Sequence, residues 1–184
     1  MRSLIHELRC TLDNPVKISF DEWNVWYAWY RPSSVTDGIY AALAMHMLMD
    51  EAEKSGIALA CHFEAVNEGM IQVAPDSAAL TAQGQVFAAM KHHAGGRLYY
   101  VSTDAVATAG ADGMVTVTIV NASLNVLKKV CFERCGECVR ATLYESDGVL
   151  PPSVFEERDI LADVRTGKYV MPPHSLLLLR FKGE

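Results

Sequence analysis

Carboxylates and flat aromatic rings crowd together in the ten residues from Phe20 to Trp29, "FDEWNVWYAW". The segment holds Asp21, Glu22, Tyr27 and all three tryptophans of the chain. Side chains alternate along a strand, so Ile18, Phe20 and Glu22 are expected on one face and Asp21 and Trp23 on the other. In a parallel sheet or barrel, Glu22 then stands at the carboxyl end of its strand, where such folds place reactive groups. A carboxylate there attacks or stabilises an oxocarbenium-like centre, and the aromatic planes that follow pack against sugar faces. The bland alternative is a solvated strand-end carboxylate beside tryptophans that belong to core or interface. That reading suits Trp23 and Trp29, since tryptophan is highly buried on average. Trp26 suits either.

The elements around this segment alternate helix and strand as far as Gly95-Gly96. "SLIHELRCTL" carries Leu4, Ile5, Leu8 and Leu12 at helical spacing. "VKISFDEW" reads as a strand. "VTDGIYAALAMHMLMDEAEKSG" reads as a helix capped by Thr36 or Asp37 and ended by Gly56. "IALACHFEAVN" is a second strand, and a further helix is expected from Thr81 to His93. The order α-β-α-β-α suits parallel strands with crossover helices, and near-continuous apolar strands suit a sheet covered on both faces. After Gly96, short alternating runs separated by "GADG", "NASLN", "ERCGE", "ESDG" and "RTGK" predict an antiparallel β-sandwich. The fold class is therefore α+β, with one unit over 1–97 and the sandwich over 98–184.

Size and charge narrow the function classes. A chain of 184 residues with 51% hydrophobic content buries a sizeable core in one or two domains. A net charge of −6 without basic clusters argues against nucleic acid and against anionic membrane surfaces. No apolar run approaches the ~18 residues that span a bilayer. "MRSLIHELRC" has neither the apolar centre nor the cleavage pattern of a signal peptide, so a cytoplasmic location is expected. Five cysteines, an odd number, fit reduced thiols.

"ISFDEWNVWY" closely resembles the nucleophile segment of the retaining α-L-arabinofuranosidases, glycoside hydrolases built as a (β/α)8 barrel with a C-terminal β-sandwich. "ACHFEAVN" stands where that family has its eighth barrel strand. "LTAQGQVFAAMKHHAGG" resembles the helix leading out of the barrel, and "YVMPPHSLLLLRF" the last sandwich strands. The resemblance implies that Glu22 is the catalytic nucleophile and that Trp26 lines the sugar pocket. It puts Glu64 on a substrate-contacting glutamine position and Asn67 on a nearby asparagine, so both are substrate-binding candidates. Glu64 departs from the family's amide and adds negative charge at the mouth of the site.

A whole barrel takes roughly 250 residues, whereas about 97 stand before the sandwich here. Retaining glycosidases need two carboxyl groups ~5–5.5 Å apart. In the family the acid/base glutamate lies on the fourth barrel strand, and only sixteen residues precede "KISFDEW". The chain therefore reads as the final quarter of the barrel plus the sandwich, inactive alone. Open strand edges and apolar faces predict a homo-oligomer or a partner chain that supplies the missing strands. Its substrate, where active, would be an arabinose-containing saccharide. The alternative is a non-catalytic carbohydrate-binding or protein-interaction module.

No cofactor is implied, because no phosphate loop, HExxH or GxSxG is present. Cys131, Cys135 and Cys138 fall short of a four-ligand zinc site and read as a hairpin with a tight turn. His46 reads as a core histidine, His92-His93 as favouring a helix dipole, and His174 as a turn residue.

Overall fold

A computed structural model of the chain describes residues 1–13, 16–25, 31–132 and 135–183. The first helix, α1, spans Arg2–Thr11 and buries Ile5. Strand β1 (Ile18–Trp23) pairs in parallel with β2 (Ile57–His62). Between them runs α2 (Val35–Lys54). Its cap is Ser34, two residues before Thr36 and three before Asp37, the caps expected from sequence: the Ser34 and Asp37 side chains satisfy each other's backbone N–H groups in a capping box. Gly56 follows the helix at φ +70°, a left-handed conformation that glycine adopts without Cβ strain.

A hairpin that the sequence reading does not anticipate follows β2. It consists of β3 (Ile71–Ala74) and β4 (Ser77–Leu80). Helix α3 (Ala82–Met90) then starts from Thr81, whose hydroxyl accepts the Gly84 N–H at 3.2 Å. A 3-10 turn, Lys91–His93, closes it, so the expected Thr81–His93 helix is realised in two parts.

The remaining strands are β5 (Arg97–Val101), β6 (Ala105–Ala109), β7 (Met114–Asn121), β8 (Lys128–Cys131), β9 (Cys138–Glu145), β10 (Glu156–Asp159), β11 (Lys168–Met171) and β12 (Ser175–Lys182). Six of them form an antiparallel sheet in the order β10-β9-β12-β7-β6-β5, and β8 pairs with β11 in a second layer. The cysteine segment is not a hairpin: β8 ends at Cys131 and pairs with β11, while β9 starts at Cys138 and pairs with β10 and β12.

The centre of the molecule is β12, "SLLLLRFK". Leu177, Leu179 and Phe181 pack into the sandwich interior with Leu143, Ile160 and Met171. Leu176 and Leu178 face the other way and join Val35, Ile39, Val86 and Met90 from the helices. A strand buried on both faces needs an unbroken apolar run, and each leucine so buried contributes ~1.5–3 kcal/mol. The β/α segment and the sandwich sheet thus share one continuous core.

The two-stranded parallel sheet is covered on one side only. Trp23 is buried beneath α2 and α3, and Phe20 packs against the same cluster. The pairing slips between Phe20 and Trp23, which brings both rings to the helix side. This corrects the alternation expected from sequence: Phe20 and Trp23 are covered by the chain's own helices. On the uncovered side Leu59 is 54% exposed, and Phe63 beyond the strand is 43% exposed.

Candidate functional site

The site is assembled at the carboxyl ends of β1 and β2. Trp23 pairs with His62, and the Phe63 N–H donates to the Trp23 carbonyl at 3.0 Å, the last backbone bond between the strands. Glu22 stands just before this closure and Glu64 just after it. Both carboxylates are exposed, and neither makes a side-chain hydrogen bond or ion pair among the described residues. Glu64 lies beyond the strand, which ends at His62, so it is a loop residue and not part of an apolar strand. Trp26 and Trp29 fall outside the described residues.

Behind the carboxylates lies an aromatic wall. The His62 ring meets Trp23 edge-on at 4.8 Å and Phe87 at 5.1 Å, and Trp23 stacks on Phe87 at 6.0 Å. Burial in this apolar setting pushes the His62 imidazole below its ordinary pKa. Trp23 is therefore a structural residue whose ring supports the strand end.

Asn67 sits at φ +64°, a conformation asparagine tolerates better than most residues. Its Oδ1 accepts the Val73 N–H at 2.8 Å, and its own N–H donates to the Ile71 carbonyl at 2.7 Å. One half of its amide is thus spent on holding the loop against β3. Gly69, in the same loop, is buried: a Cβ there would lie 2.0 Å from the Glu64 carbonyl oxygen.

Four further residues shape the site, and of these only Asp37 is marked by the sequence, as a helix cap. Asn24 donates to the carbonyls of Phe63 and Glu68 and accepts from Gln83 at 2.8 Å. Arg31 grips Asp37 with two hydrogen bonds of 2.8 and 2.5 Å, and Asp37 also accepts the Ser34 N–H at 2.8 Å. A small cavity between these groups is lined by Arg31, Asp37, Asn67, Glu68, Gln72 and Gln83. The available signals were a polar Asn24 between two tryptophans and a glutamine, Gln83, in the first turn of a largely apolar helix.

A hollow of about 720 Å³ lies elsewhere, in the sandwich between Phe132, Cys138, Leu161, Val164 and Phe181. It contains no part of the carboxylate pair. Among the described residues no group of three or more His, Cys, Asp or Glu side chains is arranged to hold a metal ion. No helix of the described residues is long and apolar enough to cross a membrane.

No protein-family model and no curated protein matches the sequence. Solved structures do match. The α-L-arabinofuranosidase of Thermotoga maritima, solved with arabinose, superposes with a TM-score of 0.71 at 20% identity, over 98% of this chain and 46% of that one. The GH51 enzyme of Thermotoga petrophila gives 0.71 at 23% identity, over 97% and 46%. The family 51 enzyme of Bifidobacterium longum gives 0.74 at 15% identity, over 99% and 46%. The chain therefore spans just under half the length of these enzymes and has the α+β fold of their C-terminal portion.

Proposed function

We propose that this chain is the nucleophile-bearing part of an arabinofuranosidase-like retaining glycosidase, acting on arabinose-containing saccharides, with Glu22 as nucleophile. The observation that carries the reading is the exposed Glu22 carboxylate at the carboxyl end of β1, in a chain that follows the arabinofuranosidase fold over nearly its whole length. Residues 1–97 are taken as the barrel-derived unit and 98–184 as the sandwich. Glu64, Asn67 and Trp26 are the candidates for sugar contact. The resemblance implies that Glu64 occupies the place of a substrate-contacting amide and not that of the acid/base.

The second carboxyl group would come from polypeptide that carries other barrel strands. Glu22 Oε would attack the anomeric carbon, forming a C–O bond as the bond to the leaving group breaks. With an ordinary sugar the departing oxygen needs a proton from the acid/base. A dinitrophenyl leaving group departs as the stable phenolate and needs none.

This distinction supplies the test. The chain is incubated with 2,4-dinitrophenyl α-L-arabinofuranoside and followed by intact-protein mass spectrometry. The expected result is a burst of dinitrophenolate and one arabinosyl group retained on Glu22, absent in Glu22→Gln. Without a base to activate water, the adduct persists. Arabino-oligosaccharide binding that survives Glu22→Ala, without any adduct, would instead identify a carbohydrate-binding module. Neither adduct nor binding overturns the glycosidase reading of this chain.

A further inference from the structure

We propose that Asn24 is the positioning residue of this site and that Gln83 sets its orientation. The inference rests on the reading of Glu22 as nucleophile. Asn24 leaves β1 two residues after Glu22. One end of its carboxamide donates to the Phe63 carbonyl and, at 2.9 Å, to the Glu68 carbonyl. The other end accepts the Val25 N–H at 2.6 Å and the Gln83 side-chain amide at 2.8 Å.

Both amide hydrogens and both oxygen lone pairs are in use, so the group has a single orientation. Turned over, it would set NH2 against the Val25 N–H and an oxygen against two carbonyls. Gln83 is 1% exposed in the first turn of α3, so its amide has no solvent to turn to. The pair therefore joins three elements: the end of β1, the loop after β2, and α3.

The need for such a clamp follows from the topology. The last backbone bond of the parallel pair is Phe63 N–H to Trp23 O. Beyond it the chains separate into loops, and Asn24 bridges them by gripping the carbonyl of Phe63, the residue before Glu64. Glu22 and the Glu64–Asn67 loop thus keep their spacing through Asn24. Misplacement of a reacting group by about 1 Å costs on the order of 100-fold in rate.

Asn24→Asp keeps the shape, removes both donors and sets a carboxylate against two carbonyls. Gln83→Met keeps the volume of α3 and removes only the orienting donor, so it serves if Asn24→Asp does not fold. In either variant, adduct formation from the dinitrophenyl arabinofuranoside should slow at least ten-fold, with the half-saturating concentration within two-fold of wild type. Amide hydrogen exchange over residues 63–70 should quicken ten-fold, while α2 and β12 exchange as before. Unchanged exchange over 63–70 overturns the proposal, as does quickened exchange with an unaltered adduct rate. If the wild type forms no adduct, the Glu22 reading falls by itself, and exchange alone decides whether Asn24 orders the strand ends.

Discussion

Glu22 and Glu64 differ from the buried carboxylates Asp37 and Glu51 in what they leave undone. Asp37 is buried and bonded to Arg31 and Ser34, and Glu51 is buried against Arg2, His6 and Ser55. The carboxylates at the strand ends have no such partners among the described residues. Two residue-scale predictions follow from the groups that shape their surroundings. Asp37→Asn removes the negative charge from the Arg31–Asp37 pair and weakens the capping box at the start of α2. It should lower unfolding free energy by about 2–4 kcal/mol, read by urea titration. Gly69→Ala would force a Cβ to within 2.0 Å of the Glu64 carbonyl and 2.7 Å of the His62 ring. The loop must shift, at a cost of about 1–3 kcal/mol. An unchanged urea midpoint would show that the loop is not packed as described.

At the scale of elements, the contact between the helical layer and the large sheet carries a chain of buried polar groups. His46 on α2 meets the Thr118 hydroxyl of β7 at 2.9 Å, and the same hydroxyl lies 3.0 Å from His93, whose other ring nitrogen is 2.9 Å from Thr108 of β6. His46 is thus the core histidine its position in an apolar helix suggests. His93 is not a helix-dipole cation, because it is buried. Desolvation pushes both imidazoles down to about 4, helped at His93 by the facing His46 and His92 and opposed at His46 by Asp104. The unfolded chain takes up protons near 6.5, well before the folded one does. Stability should therefore be full above about pH 6.5 and fall as the pH drops toward 4, by roughly 3 kcal/mol per histidine. His93→Gln should flatten this slope in urea titrations run across that range. A wild-type slope unaffected by the substitution would remove His93 from the account.

At the scale of the whole molecule, the sheet of β1 and β2 has, among the described residues, two open edges and one open face. Isolated two-strand sheets are marginal, and exposed parallel edges invite further pairing. The chain should therefore self-associate or take up a partner bearing barrel strands. Sedimentation equilibrium should give a mass above the monomer at high concentration, and Leu59→Glu on the uncovered face should reduce it. A wild type that stays monomeric throughout would count against self-association. Leu4 and Leu8 on α1 are exposed too.

Much of this molecule was legible in its residue order. Period-2 runs marked most of the sandwich strands, and caps and glycines marked the helices, because these patterns follow from local backbone geometry. Glu22 was legible as a strand-end carboxylate for the same reason. The faint elements were missed: β6, "AVATA", β10, "EERD", and the exposed β3–β4 hairpin have little apolar contrast to read. The tertiary structure alone decided which face of β1 carries the tryptophan, since a slip in pairing registers only against a neighbour. It alone brought Asn24 to Gln83, fifty-nine positions away, and His46 to Thr118, seventy-two away. Side-chain bonds over such separations have no local pattern. They exist because the folded core leaves each buried polar group only a few partners, and it is these bonds that hold the end of the strand behind Glu22.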